Sequence, residues 1–395
     1  MTIADKLKQI KQSTDAIKAS ATALTGEVQT DLTSIAIILD TANPANATDI
    51  LNMLGYTSTN APELYNAFLN SLNKEEGATY ENDNAVLLPK LTLDEDGIYQ
   101  IKYRSMFRNS TILTIPKGKY YLDNSSNSFL GMFQNCANLL WVPDVELCAA
   151  DTYDGSYMFQ GCTGLKTVGN LNTEGCTNMY YMFDGCSNLV SIASLNTSNV
   201  TNMASTFKDC SSLVNIPQID YSKVPWMPYT FSGCSSFTEV PDLNLESATY
   251  IPYMFNYCTS LVTVGSLNTP NVTDVSSLFG NCTKLERVAS LDVRSVTNSS
   301  PIFGYGTLPI RYMVFKNLGQ SSLTSWTFGY LTSWGVNNDT HPDAKQSVID
   351  TLITYSYDRA SAGMSACNIT LNKFTKEVLT EDEIAQITAK GFTIS

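Results

Sequence analysis

The chain has 395 residues, a formal net charge of −13, a pI near 4.5 and only 15% charged residues. So acidic and weakly charged a surface argues against nucleic acid, which demands a basic footprint, and against anionic membranes. One histidine, His341, stands beside ten cysteines, so no Ser-His-Asp or Cys-His catalytic set can be assembled around it.

The chain opens with MTIADKLKQIKQ, which has no apolar run behind its lysines, and IAIIL at 35–39 is too short to span a bilayer. No export signal or membrane anchor is expected. Residues 1–90 read as a helical anchoring or oligomerisation region. Ile3, Leu7, Ile10, Thr14, Ile17, Ala21, Leu24 and Val28 alternate by four and three, the spacing of a heptad seam. Two readings stand: a helix packed on its own domain, or a self-associating coiled coil, for which a homotrimer is expected. Asn46 or Thr48 caps a second helix (ILNML) and Pro62 opens a third (PELYNAFLNSL). Residues 74–84 form a polar linker. LDEDG at 93–97 reads as a turn before a strand, since a calcium loop needs more ligands at fixed spacing.

Residues 91–309 are periodic. Phe recurs at 107, 133, 159, 183, 207, 231, 255, 279 and 303; two steps are of 26 residues and six of 24. Counted from each Phe, position +3 holds Cys from Cys136 to Cys282. Position +6 holds Leu or Phe, +9 Val or Ile, and +12 Leu, Val or Ile. Polar residues separate these apolar columns. A coil of 24 residues cannot bury such a face alone, but stacked coils can, so the fold class is a leucine-rich-repeat-type solenoid, mainly β, about 40 Å long. Position +2 holds Asn135, Gly161, Gly185, Asp209, Gly233 and Asn281, residues that tolerate positive φ at a corner. Position +13 holds Asn or Asp, predicting a side-chain ladder. The Cys column reads as buried free thiols, because equal side chains in a stack point in parallel and seven cannot pair.

Residues 310–395 read as an α/β cap. Thr340, His341 and Pro342 start a helix to about Tyr357, NITLN (368–372) is a strand, and Thr380 with Glu383 forms a capping box ahead of a helix that Gly391 ends. FTIS closes as a strand.

The run LNTSNVTNMASTFKDCSSLVNI (195–216) resembles the BspA-type leucine-rich repeats of bacterial surface proteins, close to the variant common in mycoplasma lipoproteins, and the likeness covers roughly 105–305. That resemblance implies adhesion and no enzyme activity. The ending LTEDEIAQITAKGFTIS resembles the tails of leucine-rich-repeat proteins encoded by gut phages and prophages. The opening IADKLKQI…AIKA resembles the N-termini of phage virion proteins, which implies attachment to a particle through the N-terminus.

No C-x-x-C, P-loop or G-x-G-x-x-G after a strand occurs, and neither metal nor cofactor is expected. One column points to binding. Two residues before Phe stand Tyr157, Tyr181, Tyr229 and Tyr253, with Ser205 and Ser277 in the same position. Trp226 and Tyr250 stand three residues earlier still. Exposed aromatics on a rigid scaffold stack on sugars or serve as protein hot spots; alternatively the rings pack sideways on one another. The expected function is a non-enzymatic phage structural protein, a head or tail fibre or decoration subunit displayed on the virion. Its partners would be other virion proteins through the N-terminus and a host-surface protein or glycan through the repeats. The alternatives are a bacterial surface adhesin and an enzyme whose cleft is invisible in sequence.

Overall fold

A computed structural model describes residues 95–395, apart from 97, 102–104, 111, 113–114, 116–117, 123–128, 150, 299–300, 305–307, 329–330, 332 and 338–341. The heptad positions Ile3 to Val28, the other two helices before residue 90, and His341 lie outside the described residues.

The repeats stack as a parallel, in-register solenoid. Val168, Ile192 and Leu171, Leu195 are partners one coil apart, as are Val264, Val288 and Leu267, Leu291. A parallel sheet with a 24-residue offset must place equal columns side by side, which is why the sequence period becomes a physical ladder. The Phe column is buried and stacked from Phe107 to Phe303. Ring centroids lie 5.3 to 6.4 Å apart and no pair is tilted beyond 17°. The Cys column is free and buried, as expected. Each of its thiols donates to the carbonyl of the Phe in the preceding coil, for instance Cys210 to Phe183 at 3.1 Å.

The segment around each Phe is a chain of turns rather than a strand. Alternate N–H groups bond within the coil and to the next one. The Lys208 N–H donates to the Ser205 carbonyl, while the Phe207 N–H donates to Thr230 and Asp209 to Ser232. This alternation needs left-handed backbone at two columns. Position +2 supplies one, with Gly233 at φ 79° and Asp209 at 58°, as its residue types predict. The other, two residues before Phe, was not foreseen. A second ladder of single bridges links Asn178, Asn202, Trp226, Tyr250, Asp274 and Asn298.

The sheet is split in the middle, and prolines explain the split. Position +10 holds Pro143, Pro217 and Pro241, each lacking the N–H a ladder requires. At two of them the damage is contained. The carboxylates of Asp144 and Asp242 accept the N–H of Asn170 (2.9 Å) and Ser266 (2.6 Å) one coil on, and Gly169 and Gly265 give the bulge room. A Cβ on Gly265 would meet Asp242 Oδ1 at 2.5 Å and its backbone N at 2.6 Å. Pro217 is followed by Gln218 and faces Pro241 where a glycine would be needed. The bonds that join Val190 to Lys166 and Val262 to Thr238 have no counterpart on either side of Val214 among the described residues. The strands Ser191–Leu195 and Glu239–Val240 thus belong to separate sheets, and a cleft of 590 Å³ opens between residues 216–222 and 241–247. We expect Gly265→Ala to destabilise the protein by about 1–3 kcal/mol, because rigid backbone rather than a mobile side chain must yield. Urea denaturation of the variant measures it, and an unchanged midpoint would refute the packing argument.

At the C-terminal end, Tyr312–Lys316 pairs with Arg287–Asp292, so the solenoid sheet runs on past residue 309. The cap then follows with a second parallel sheet of Ser325–Phe328, Cys367–Leu371 and Phe392–Ile394. Two expectations are corrected in detail. The helix read from Thr340 to Tyr357 is Ala344–Ile349 widening into a π turn over Asp350–Thr354. Asp343 precedes it without capping, its carboxylate being held by Arg287 at 3.2 Å. The strand read as 368–372 ends at Leu371 because Asn372 turns out to cap a short helix, Lys373–Glu377. The Thr380–Glu383 capping box is present, and Gly391, at φ 85°, follows that helix.

Candidate functional site

The Tyr column lies in the unforeseen left-handed position. Tyr157, Tyr181, Tyr229 and Tyr253 have φ between 56° and 59°; Ser205 is at 55° and Gly131, one column member with no side chain, at 61°. The tyrosine rings are aimed by turn geometry, and they remain on the surface, Tyr229 being 36% exposed. They also stack along the solenoid axis. Tyr157 lies on Tyr181 at 5.6 Å and 7°, and Tyr229 on Tyr253 at 4.6 Å and 1°. Rings packed sideways are therefore present, with Tyr229 exposed and Tyr157, Tyr181 and Tyr253 half-buried.

Trp226 and Tyr250 stack at 4.2 Å and 14°, with Trp226 46% exposed. Their presence has a local cause. In four other coils this column is Asn or Asp and its side chain accepts the N–H two residues on: Asp154 from Ser156, Asn178 from Tyr180, Asn202 from Ala204, Asp274 from Ser276. After Trp226 and Tyr250 that residue is Pro228 or Pro252, which has no N–H to satisfy. Removing the donor frees the position from its capping duty and lets a large ring stand there. The pairing of WMPY with YIPY in the sequence carried this signal.

The structure thus brings Trp226, Tyr229, Tyr250 and Tyr253 together on two adjacent coils and Tyr157 with Tyr181 on two others. Sequence reasoning missed Tyr180, which lies edge-on to Tyr181 at 4.3 Å and to Tyr157 at 5.4 Å. Its column holds Ser156, Ala204 and Pro228 elsewhere, so no periodicity marked it. Burial, and a hydrogen bond with Tyr181, push its phenol up to about 12. Beside the rings runs a polar ladder one residue after each Phe. Gln160 donates to Asp184 Oδ2 at 2.9 Å, and Lys208 Nζ lies 3.5 Å from Asp184 Oδ1 and 2.6 Å from Asp209 Oδ2. Burial raises the Asp184 carboxyl above the usual range against the pull of Gln160 and Lys208.

The cysteine column offers no nucleophile. Burial raises every thiol in it, Cys136 and Cys282 to about 12 and the five between them well above the ordinary thiol value, and a protonated, enclosed thiol does not attack. Among the described residues no group of three or more His, Cys, Asp or Glu could hold a metal ion, and no helix is long and apolar enough to cross a membrane.

Comparison with known proteins places a family match within the repeats. The family described as Mycoplasma protein of unknown function, DUF285, matches residues 153–263 and 214–308. No curated protein matches the chain. Among solved structures, a leucine-rich-repeat protein of T. pallidum is 16% identical, with 58% of this chain and 100% of that one covered and a TM-score of 0.29. A leucine-rich cell surface protein of Faecalibacterium prausnitzii A2-165 is 14% identical over 80% and 97%, with a TM-score of 0.25. A leucine-rich-repeat protein of Bacteroides ovatus ATCC 8483 is 14% identical over 82% and 97%, with a TM-score of 0.18.

Proposed function

We propose that the protein is a non-catalytic adhesive scaffold whose aromatic stripe, Tyr157 to Tyr253 with Trp226 and Tyr250, meets a host-surface protein or glycan. The observation that carries this is the retention of four tyrosines in left-handed backbone. That conformation costs an L-residue about 1–2 kcal/mol, whereas a stacked ring pair returns about 0.5–1.5 kcal/mol. Gly131 fills the same column with no such strain. A column whose turn demands left-handed backbone, filled by surface rings where glycine would be unstrained, supports a binding face.

As carrier we propose a phage particle, with residues 1–90 anchoring a homotrimer among other virion proteins. The heptad and the two phage-like termini support it. A bacterial surface adhesin is the second reading, supported by the BspA-type run and the family match over the repeats. Light scattering on the full chain tests the trimer, and a monomer would remove that part of the proposal.

The stripe is tested with Tyr229→Gly combined with Tyr253→Gly. Relief of strain offsets lost stacking, so stability should stay within about 1 kcal/mol of the parent. Adhesion of the fluorescently labelled protein to intact bacterial cells should fall at least about tenfold. Undiminished adhesion by a folded double variant would rule the stripe out.

A further inference from the structure

The cleft at the split in the sheet carries an open strand edge. Among the described residues, Glu239–Val240 and Leu243–Asn244 pair with Thr263–Asn268 and with no other strand. Their other edge faces the coil of Val214, where the N–H groups of Gln218 and Ile219 make no backbone bond. The two coils are tied at both ends of this stretch. Ser235 and Ser236 Oγ donate to the Ser211 carbonyl at 3.3 and 2.7 Å, and Ser247 Oγ donates to the Ser222 carbonyl at 2.6 Å. Between the ties the walls part to leave 590 Å³, within the range of about 300–1,000 Å³ that ligand clefts occupy. Pro217 and Pro241 lack the N–H groups that would let the walls pair with each other.

Floor and rim differ in chemistry. Pro217, Tyr221 and Leu243 line the cleft and are buried, whereas Asp220, Asp242 and Glu246 line it and are exposed. Lys223, whose charge acts on Asp220, is turned to the preceding coil, where its Nζ donates to Asn199 Oδ1 at 2.8 Å. The rim is thus negative. Tyr221 stands in a column where Thr173, Thr197 and Thr269 each donate to a carbonyl of the next coil. Tyr221 is only 8% exposed, and its hydroxyl has no partner.

We propose that this cleft takes an extended, basic peptide segment of a partner protein, which adds a strand to the open edge. The site is independent of the aromatic stripe. An extended chain brings a row of N–H and C=O groups to an edge that lacks them, which neither a sugar nor a lone cation does. About six residues, at about 3.3 Å each, run the length of the wall. Successive side chains of a strand point to opposite faces, and the cleft is two-faced in the same way. Apolar side chains rest on Pro217 and Leu243, and lysine or arginine side chains meet Asp220, Asp242 and Glu246. A peptide carbonyl between the walls is the acceptor that the Tyr221 hydroxyl lacks.

Fluorescence anisotropy of labelled six-residue peptides, titrated with the full chain, tests this. A peptide alternating lysine with valine should bind. A peptide of three lysines followed by three valines has the same charge without the alternation, and it should bind at least about tenfold more weakly. So should the alternating peptide with every second amide N-methylated, because its main chain cannot complete the edge. Asp220→Asn, Asp242→Asn and Glu246→Gln together keep the oxygens that accept the Ser222 and Ser266 N–H groups. That variant should melt at the parent's temperature and lose at least about tenfold in affinity for the alternating peptide. The Tyr229→Gly, Tyr253→Gly variant should bind the peptide as the parent does, whatever becomes of its adhesion to cells. Equal binding of all three peptides by the parent would reduce the effect to attraction by an acidic surface and overturn the proposal. No binding of the alternating peptide at about 1 mM, or its displacement by neutral oligosaccharides, would overturn it as well.

Discussion

Raising the pH above 9 is expected to unfold the solenoid cooperatively. The cause is the thiol column. Cys136, Cys162, Cys186, Cys210, Cys234, Cys258 and Cys282 are buried, and each donates to a Phe carbonyl at 2.8 to 3.3 Å. Burial raises their folded pKa values, to about 12 for Cys136 and Cys282 and well above the ordinary thiol value of 9.0 for the rest. The unfolded chain therefore releases protons that the folded chain keeps. The stabilisation is complete below pH 9 and is lost as pH rises from 9 towards the folded values. Each thiol costs about 1.4 kcal/mol per pH unit in that window. Several acting together exceed the whole stability of a typical domain, about 5–15 kcal/mol, within one or two units. Circular dichroism against pH measures the midpoint. The chain's tyrosines ionise near the same pH, so a Cys210→Ala, Cys234→Ala variant separates the causes: its midpoint should move up even though its stability at pH 7 falls. A parent that keeps its signal to pH 12 would contradict the buried-thiol account. At neutral pH a thiol reagent should reach only Cys148, which is half-buried and outside the column.

Phe207→Ala should cost about 3–5 kcal/mol. Phe207 is fully buried and stacked on Phe183 and Phe231, at 5.5 Å from each and tilted by 4° and 1°. Its loss removes two stacked contacts and leaves a void that rigid coils cannot close. The position is also the worst one for the array, because the sheet is already interrupted in the same coil, around Val214. With coupling between coils confined to nearest neighbours, weakening this coil should divide unfolding into two phases in urea. Phe303→Ala is the comparison. Phe303 has one stacked Phe neighbour, Phe279, at 6.4 Å, so its loss should cost less and leave one transition. Equal losses at both positions would show that the stack is not the source of the stability.

The sequence by itself determined the solenoid. In a parallel, in-register stack, residues one period apart become neighbours, so Phe at 24-residue intervals can only form a column, and Cys, Leu and Val follow with it. The Thr380–Glu383 box was equally legible, since both of its bonds lie within one turn of helix. What only the tertiary structure decided concerns groups that answer to the adjacent coil. Each turn around Phe gives alternate N–H groups to the next coil, which forces left-handed backbone on Tyr181 and Tyr229. No local preference of tyrosine would suggest that. Pro228 and Pro252 released Trp226 and Tyr250 from a capping role visible only once Asn178 and Asn202 were seen performing it. Pro217 opened the sheet because Pro241, one coil away, stands where Gly169 and Gly265 stand elsewhere. Spacing along the chain specifies which residues meet; the hydrogen bonds and room supplied by the neighbouring coil specify how they meet, and the candidate site depends on the second.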